Sequence, residues 1–517
     1  MIPLLFLSSC SLNISSQVPC ETTMDCKQNW GFGHYCVQDE GDTKGFCAEV
    51  QPSQRCFLSF PTEMYSLEMG MAYDQNIVVD WDVYSEHKMV GVLFDHNTNQ
   101  RRIAAANLAA KTVNEDFGEN FVLVHCDYQN DEYNEYDGLK DEDAVKEVTS
   151  YLAEELNVPV IIGPSGSADV EASYQITSQT DTILISPSAT SPSLTGLNGI
   201  WRPVGSDDVQ GRILANLILQ NIETGDLNLE NEIHIVYENS SYGQNFYITM
   251  KDIFDNAPTP PNIKTHSYEE MNDDFLAEFR NSGAGGKSIV MIDADVDDIG
   301  FFMDEVLGDV NFENTVYYLT DAASKADLFA EITGKTDAEY QSIYGTRPQT
   351  SRSAEYENFA SEYKNFTKED GFEADEDSFV PYTYDATWLG FVTYTSAAVS
   401  LSKKPGTITG SDLSEKMYTV SDTTVEQELA MDIQWLLIQG PLSQGNSVNV
   451  KGVTGSLDFD ATTGEVITDV EIWRVKTQDT GVPCDILQGT CSSSNLDDLS
   501  DCSYEFDDVE YENQICE

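Results

Sequence analysis

Two short stretches gather residues able to receive an anion without a side-chain cation. Gly163-Pro164-Ser165-Gly166-Ser167 and Ser186-Pro187-Ser188-Ala189-Thr190 are small and rich in hydroxyls. Hydroxyls and bare backbone N–H groups at a helix start form a natural carboxylate or phosphate receptor. Each turn follows an apolar, β-branched run, Val160–Ile162 and Thr182–Ile185. Such unbroken hydrophobicity marks a parallel strand buried on both faces. Open α/β sheets bind ligands at the carboxyl ends of these strands. Small residues also serve tight βα packing alone, but two such turns in one frame favour a site. Further candidates end other strands: Asp95 and His96 after Met89–Phe94, Asp293 and Asp295 after Lys287–Ile292, and Asp321 after Thr315–Leu319. A lone histidine such as His96 is more often an ordinary polar residue than a ligand.

Positioning these residues takes a repeating strand–loop–helix frame, which begins at Met89. Met89–Phe94 and Phe121–His125 read as strands, and Arg101–Val113 and Asp141–Leu156 as helices with apolar positions at helical spacing. After the paired turns come Ile200–Val204 and the helix Val209–Asn221. A second set runs through strand Glu232–Tyr237, helix Phe246–Asp255, strand Lys287–Ile292, helix Phe301–Leu307 and strand Thr315–Leu319. Helices follow over Ser353–Lys364 and Tyr382–Leu401, then a β-meander with glycine turns to Val475. Strands alternating with helices predict parallel sheets.

Composition bounds the partners. Of 517 residues, 27 are Lys or Arg and 89 are Asp or Glu, a formal net charge of −62. Phosphate backbones are bound by Lys and Arg, so nucleic acid is excluded and anionic lipid is disfavoured. The acid is spread along the chain and reads as solvation. A 40% hydrophobic content allows a large core, and the length asks for more than one domain. Eleven cysteines are present: Cys10, Cys20, Cys26, Cys36, Cys47, Cys56, Cys126, Cys484, Cys491, Cys502 and Cys516. Setting Cys10 aside leaves an even number, expected of a disulfide framework in an oxidising compartment. Zinc wants CxxC or Cys/His spacing, and neither occurs. Leu7-Ser8-Ser9-Cys10 resembles a bacterial lipobox, with Cys10 as the lipidated residue. The apolar stretch before it is too short to span a bilayer and lacks a basic start.

The run IIGPSGS, followed by ILISPSATSPSLT, resembles the core of the type I periplasmic solute-binding proteins, the leucine/isoleucine/valine-binding branch. G-x-T-G-x-L-x-F-D-x-x-x-G, from Gly452 to Gly464, resembles that family's closing strands. The resemblance covers Met89 to Val475 and implies an α/β fold: two Rossmann-like lobes with parallel sheets, joined by a three-strand hinge, plus small disulfide-rich N- and C-terminal appendages. The implied division is 1–19 lipoprotein signal and tether, 20–88 cysteine-rich module and linker, 89–206 plus 341–403 lobe one, 207–340 plus 404–475 lobe two, and 476–517 cysteine-containing acidic tail. Ser167 and Thr190 match positions where the family places hydroxyls on an α-carboxylate, and Ser188 matches one offering a backbone N–H. Asp321 matches the acid for the ligand's ammonium, which needs an anionic partner when buried. Tyr242, in SSYG, matches an aromatic that closes from lobe two. Asp95 faces the implied cleft from the first βα loop. Asp293 and Asp295 stand where the family often has aromatics or small residues, a departure that points to a more polar or cationic ligand.

Two look-alikes fail. Gly283–Ser288 imitates a phosphate loop, but Asn281 replaces the first glycine and the stretch precedes a strand. Asp293–Asp298 imitates a calcium loop, but Asp298 replaces the needed glycine. No HExxH, GxSxG or catalytic Cys/His arrangement occurs, so no enzyme, cofactor or metal is expected. The expected protein is an envelope lipoprotein, periplasmic or on the outer surface and anchored through Cys10. It captures an amino acid or a relative between its lobes for a membrane ABC permease. The alternative is a ligand-free or sensory interaction lipoprotein of the same fold, such as a cell-wall synthase regulator or a receptor ectodomain.

Overall fold

The computed structural model describes residues 18–38, 42–51, 53, 55–59, 86–129, 141–224, 231–350, 352–460, 462–466, 468–477, 483–491 and 503–504. Cys10, most of the 58–88 connection and most of the acidic tail lie outside the described residues.

At the beginning, β1 (Pro19–Cys20), β2 (His34–Val37) and β3 (Gly45–Glu49) form a small antiparallel sheet beside the helix Thr23–Trp30. So few apolar side chains cannot hold a fold alone, and the bridges Cys20–Cys36 and Cys26–Cys47 staple it. Cys56 was expected in this module but bridges to Cys126, because β4 (Cys56–Ser59) lies antiparallel beside β6 (Phe121–Asp127) with those two cysteines in register. The module is docked on the first lobe. Phe32 sits in that lobe's core, and Lys27 Nζ donates to the Asn157 carbonyl at 2.6 Å. Burial lowers the Lys27 pKa to about 7.

The first lobe is a six-stranded sheet in the order β4-β6-β5-β7-β8-β9, with β5 Lys88–Phe94, β7 Val160–Ile162, β8 Ile183–Ile185 and β9 Ile200–Trp201. All neighbours except β4 run parallel. The helix Val380–Leu401 is buried on all sides as far as Ala397. Its Trp388 and Phe391 share a core with Ala104, Ala105 and Ala109 of the helix Gln100–Glu115, none of them exposed. Small side chains on one helix make room for large rings on the other, which gives native packing density.

The second lobe is an eight-stranded sheet in the order β11-β10-β12-β13-β14-β17-β18-β19. Its strands are β10 Glu232–Glu238, β11 Asn262–Tyr268, β12 Ser288–Ile292, β13 Val316–Leu319, β14 Ile343–Pro348, β17 Val470–Thr477, β18 Pro483–Cys491 and β19 Ser503–Tyr504. The five from β10 to β14 run parallel and the last three antiparallel. A separate parallel pair joins β15 (Glu428–Ala430) to β16 (Asn449–Lys451).

The lobe boundaries depart from the expected ones. β14 belongs to the second sheet, whereas residues 341–403 were assigned to lobe one. The helices Gly410–Val420 and Trp435–Leu442 were assigned to lobe two, yet they place Leu413, Met417, Trp435 and Ile438 in the first core. Their apolar faces complete the cover of Val380–Leu401, a tertiary choice that helical periodicity does not encode. The described tail residues, expected as an appendage, extend the second sheet as β18 and β19, and Cys491 is disulfide-bonded. The chain crosses between lobes after β9, after β14 and before β17. These crossings touch: Gly205 N–H donates to Thr468 Oγ1 at 3.1 Å, and Gln349 N–H to the Asp469 carbonyl at 2.8 Å. Among the described residues no helix is long and apolar enough to cross a membrane.

Candidate functional site

In both sheets the strand order reverses direction after its first parallel pair, the switch point that opens a crevice at the carboxyl ends of doubly wound sheets. The two hydroxyl-rich turns follow β7 and β8 on that edge. Gly163 is required by the first: its φ is +98°, and a Cβ there would lie 2.2 Å from the Leu93 carbonyl oxygen. The turns are bound to each other. Ser186 Oγ donates to the Pro164 carbonyl at 2.6 Å, Ser188 Oγ to the Ser165 carbonyl at 3.0 Å, and Ser191 N–H to Ser167 Oγ at 3.2 Å.

Arg202 fastens this assembly from below. It is 1% exposed, donates to the carbonyls of Ala189 and Ser191 at 2.9 Å each, and pairs with Glu465. Burial lowers its pKa to about 10. Arg102 enters from the Gln100–Glu115 helix. Its guanidinium is bidentate to Asp377 at 2.8 and 3.1 Å and donates to Ser188 Oγ at 3.0 Å. The Ser188 hydroxyl is therefore committed to protein partners. The backbone N–H groups of Ser188 and Thr190, by contrast, donate to no acceptor among the described residues. The Thr190 hydroxyl also has no hydrogen bond, although the residue is 1% exposed.

Facing Thr190 is an acidic cluster from the second lobe. Tyr242 Oη donates to Asp321, and Gln210 Nε2 donates to the same carboxylate at 3.3 Å. Asp207, at the start of the helix Asp207–Thr224, donates its N–H to the Thr190 carbonyl at 2.9 Å, and both its carboxylate oxygens are buried without partners. Burial first, then the Asp321 charge, drives the Asp207 pKa far upward, against the charge of Arg202. Burial also raises Asp321, against the donors Tyr242 and Gln210. Two carboxyls this close in a dry setting resist double ionisation. A cation among them would relieve both.

The structure thus brings Ser167, Ser188 and Thr190 together in adjoining turns and joins Tyr242 to Asp321. Asp95 and Asp295 make their hydrogen bonds within their own loops. Asp95 closes its own turn, accepting from Asn97 N–H at 2.8 Å and Thr98 Oγ1 at 2.6 Å. Asp295 caps the helix Val296–Val306 through the Asp297 N–H at 2.9 Å. The neighbouring Asp293 is buried and accepts from Tyr268 Oη, with its pKa driven up by burial and then by Glu238. His96 is half-buried beside Phe57 and His125, and desolvation lowers its pKa to about 4. Sequence reasoning missed Asp207, Gln210, Arg102 and Arg202. The first two sit in SDDVQG, read only as a polar turn and a helix start.

Comparison with known proteins agrees with this architecture. The family described as receptor family ligand binding region matches residues 101–478. Among solved structures, the chain is similar to the branched-chain amino acid transporter substrate-binding protein of Streptococcus pneumoniae in complex with isoleucine, at 16% identity and TM-score 0.55, covering 78% of this chain and 99% of that one. It is similar to a leucine-binding protein of Thermotoga maritima, at 15% identity and TM-score 0.57, covering 78% and 98%. A third is a solute-binding protein of an ABC transporter from Rhodopseudomonas palustris, in complex with 3,4-dihydroxybenzoic acid, at 14% identity and TM-score 0.56, covering 79% and 98%. No curated protein matches by sequence. With most of its length matched by that family and two lobes wound as in those solved proteins, the chain belongs to the receptor ligand-binding-region family, with the type I periplasmic-binding fold.

Proposed function

We propose that this protein is a non-enzymatic, extracytoplasmic solute-binding lipoprotein, anchored through Cys10, that closes its two lobes on an amino acid or a close relative and delivers it to a membrane ABC permease. The observation that carries the reading is Thr190. Among the described residues its hydroxyl and its N–H make no hydrogen bond, and it lies, 1% exposed, opposite the buried acids Asp207 and Asp321. Neutral donors suit a carboxylate, and the acids suit an ammonium. In this reading Ser167, Ser188 and Thr190 receive the carboxylate, Ser188 through its backbone. Tyr242 and Asp321 receive the ammonium, while Asp95 and Asp295 line the approach. The solved relatives bound to isoleucine and to an aromatic acid support the ligand's size class.

Calorimetry against isoleucine, leucine, other amino acids and hydroxybenzoates tests it. Binding of an amino acid that is lost in Asp321→Asn and weakened in Thr190→Ala is the expected result. No binding by any panel member, or affinity untouched by either change, counts against it. A second reading, a sensory or docking protein that keeps the fold, draws support from the exposed Ile433, Leu436 and Leu437 around the Trp435–Leu442 helix. Pull-down from the envelope separates the two: a permease partner supports transport, and a synthase or kinase supports the rival.

A further inference from the structure

The helix Trp435–Leu442 is apolar on its outer side as well as its inner one. Trp435, Ile438 and Leu442 belong to the first core and are at most 2% exposed. Outside, Leu436 is 69% exposed, Leu437 56%, and Ile433, just ahead of the helix, 53%. These three stand at helical spacing, where a surface helix ordinarily carries polar side chains. No residue from Ile433 to Val450 is charged, in a chain with 89 acids and 27 bases among 517 residues. The helix is firmly held: Glu119 accepts from Trp435 Nε1 at 3.2 Å and from Gln439 Nε2, and pairs with Lys88. A cavity of about 470 Å³ opens beside it, with Leu442, Leu436 and the 44% exposed Val399 on its wall.

This groove occupies a particular edge of the first lobe. β5 to β9 run parallel, so their starts share one edge of the sheet and the two hydroxyl-rich turns lie on the opposite one. Lys88 opens β5, and Glu119 stands just before β6. The stapled module docks on the same edge. Its Lys27 holds Asn157, just before β7, and its Gly31 lies against Gly406, just past the end of the helix that carries Val399. Only Ser11–Gln17 separate Val18, at the head of that module, from Cys10. A chain of that length spans at most about 30 Å. An anchor at Cys10 therefore draws this edge, and the groove with it, toward the bilayer.

We infer that the face formed by Ile433, Leu436 and Leu437, with Val399 beside it, docks on the surface of the lipid bilayer to which the chain is anchored. The inference rests on the anchored reading above and adds an orientation to it. Contiguous exposed apolar residues mark a site of contact. Protein interfaces are anchored by Tyr, Trp and Arg, whereas the exposed residues of this face are aliphatic and suit the boundary between headgroups and acyl chains. The lack of charge from Ile433 to Val450 spares the contact the desolvation of acids. The net charge of −62 directs it to zwitterionic rather than anionic lipid. Three side chains bind lipid weakly alone, and the anchor supplies the local concentration they lack. With the strand starts on lipid, the two hydroxyl-rich turns are held on the side away from it, open to solute.

The test uses the full chain reconstituted on phosphatidylcholine vesicles, with flotation to measure attachment and hydrogen exchange to read the amides of residues 433–442. Cys10→Ser, free in solution, is the reference. Attachment should slow exchange in that stretch by about tenfold, the effect of an exposed leucine side chain leaving water. Leu436→Ser combined with Leu437→Ser alters only exposed positions; the protein should still float and should lose the slowing. Equal exchange in attached and free protein, or slowing that survives the double change, overturns the inference while the anchor stands. Exchange already slow in free Cys10→Ser at every concentration means that another segment of this chain covers the face. Exchange that slows as free protein is concentrated means that a second copy does. Either result overturns the inference. Should the wild type fail to float, the anchored reading falls and the inference falls with it.

Discussion

On the first lobe, the hydroxyls of Ser167, Ser186 and Ser188 engage the neighbouring turn or Arg102, and Ser191 reaches Ser167 through its N–H. On the second, Asp207, Asp293 and Asp321 are carboxyls held out of water with raised pKa values and few donors. The first rim is neutral and closed on itself, so its geometry is fixed before any solute arrives. The second holds carboxyls that burial keeps from ionising and that a cationic group would let ionise. The difference teaches how one cleft can hold a zwitterion: rigidity on the side that offers N–H groups, and electrostatic appetite on the side that offers acids.

Four changes break or sharpen this contrast. The largest effect belongs to Arg202→Ala, which removes the buried cation beneath both turns and leaves Glu465 unpaired; unfolding in urea should show a loss of about 3–5 kcal/mol. A loss below about 1 kcal/mol would mean that the first rim does not depend on its buried cation. Next comes Tyr242→Phe, which strips Asp321 of its closest donor. The expected cost is about 1–3 kcal/mol in the same assay, and an unchanged midpoint would show Asp321 to be already protonated and content. Ser167→Ala removes one neutral hydrogen bond, for about 1 kcal/mol, without altering the pH dependence of stability.

The smallest effect is the pH response of Asp298, whose pKa is raised to about 6, first by burial and then by Asp295, Glu238 and Asp297. A carboxyl with a folded pKa above its unfolded value keeps a proton in the folded state that the unfolded state has lost. Its contribution is therefore present at low pH and is lost as pH rises through about 4 to 6. Comparing melting temperatures of the wild type and Asp298→Asn across that window should show the wild type falling more steeply. Parallel curves would remove Asp298 from the stored charge of the second rim.

The parallel cores were legible because burial on both faces writes itself as apolar runs without alternation, as in Val160–Ile162 of β7 and Ile289–Ile292 of β12. The edge strands were not. β11 runs Asn262–Tyr268 with mostly exposed or half-exposed residues, and β4 is four residues long with its identity set by a cysteine 70 positions away. Which lobe the Gly410–Val420 and Trp435–Leu442 helices cover was equally hidden, since an apolar face names no partner. In the candidate site, Tyr242 and Asp321 stood out at strand ends. Asp207 did not, because one acid in a chain so rich in them carries little signal until burial singles it out. Arg102 was passed over because its meaning lies in the partners it holds, Asp377 and Ser188.

Among the described residues, the stapled module at the start of the chain is fastened to the first lobe, through Lys27 and Phe32 and, just beyond it, the Cys56–Cys126 bridge. A pull arriving along the chain from its beginning is thus delivered to that half of the molecule. The half made from β10 to β19 receives that pull through the three crossings and through contacts such as Ser191 Oγ to the Ser241 carbonyl and Arg101 to Asp327.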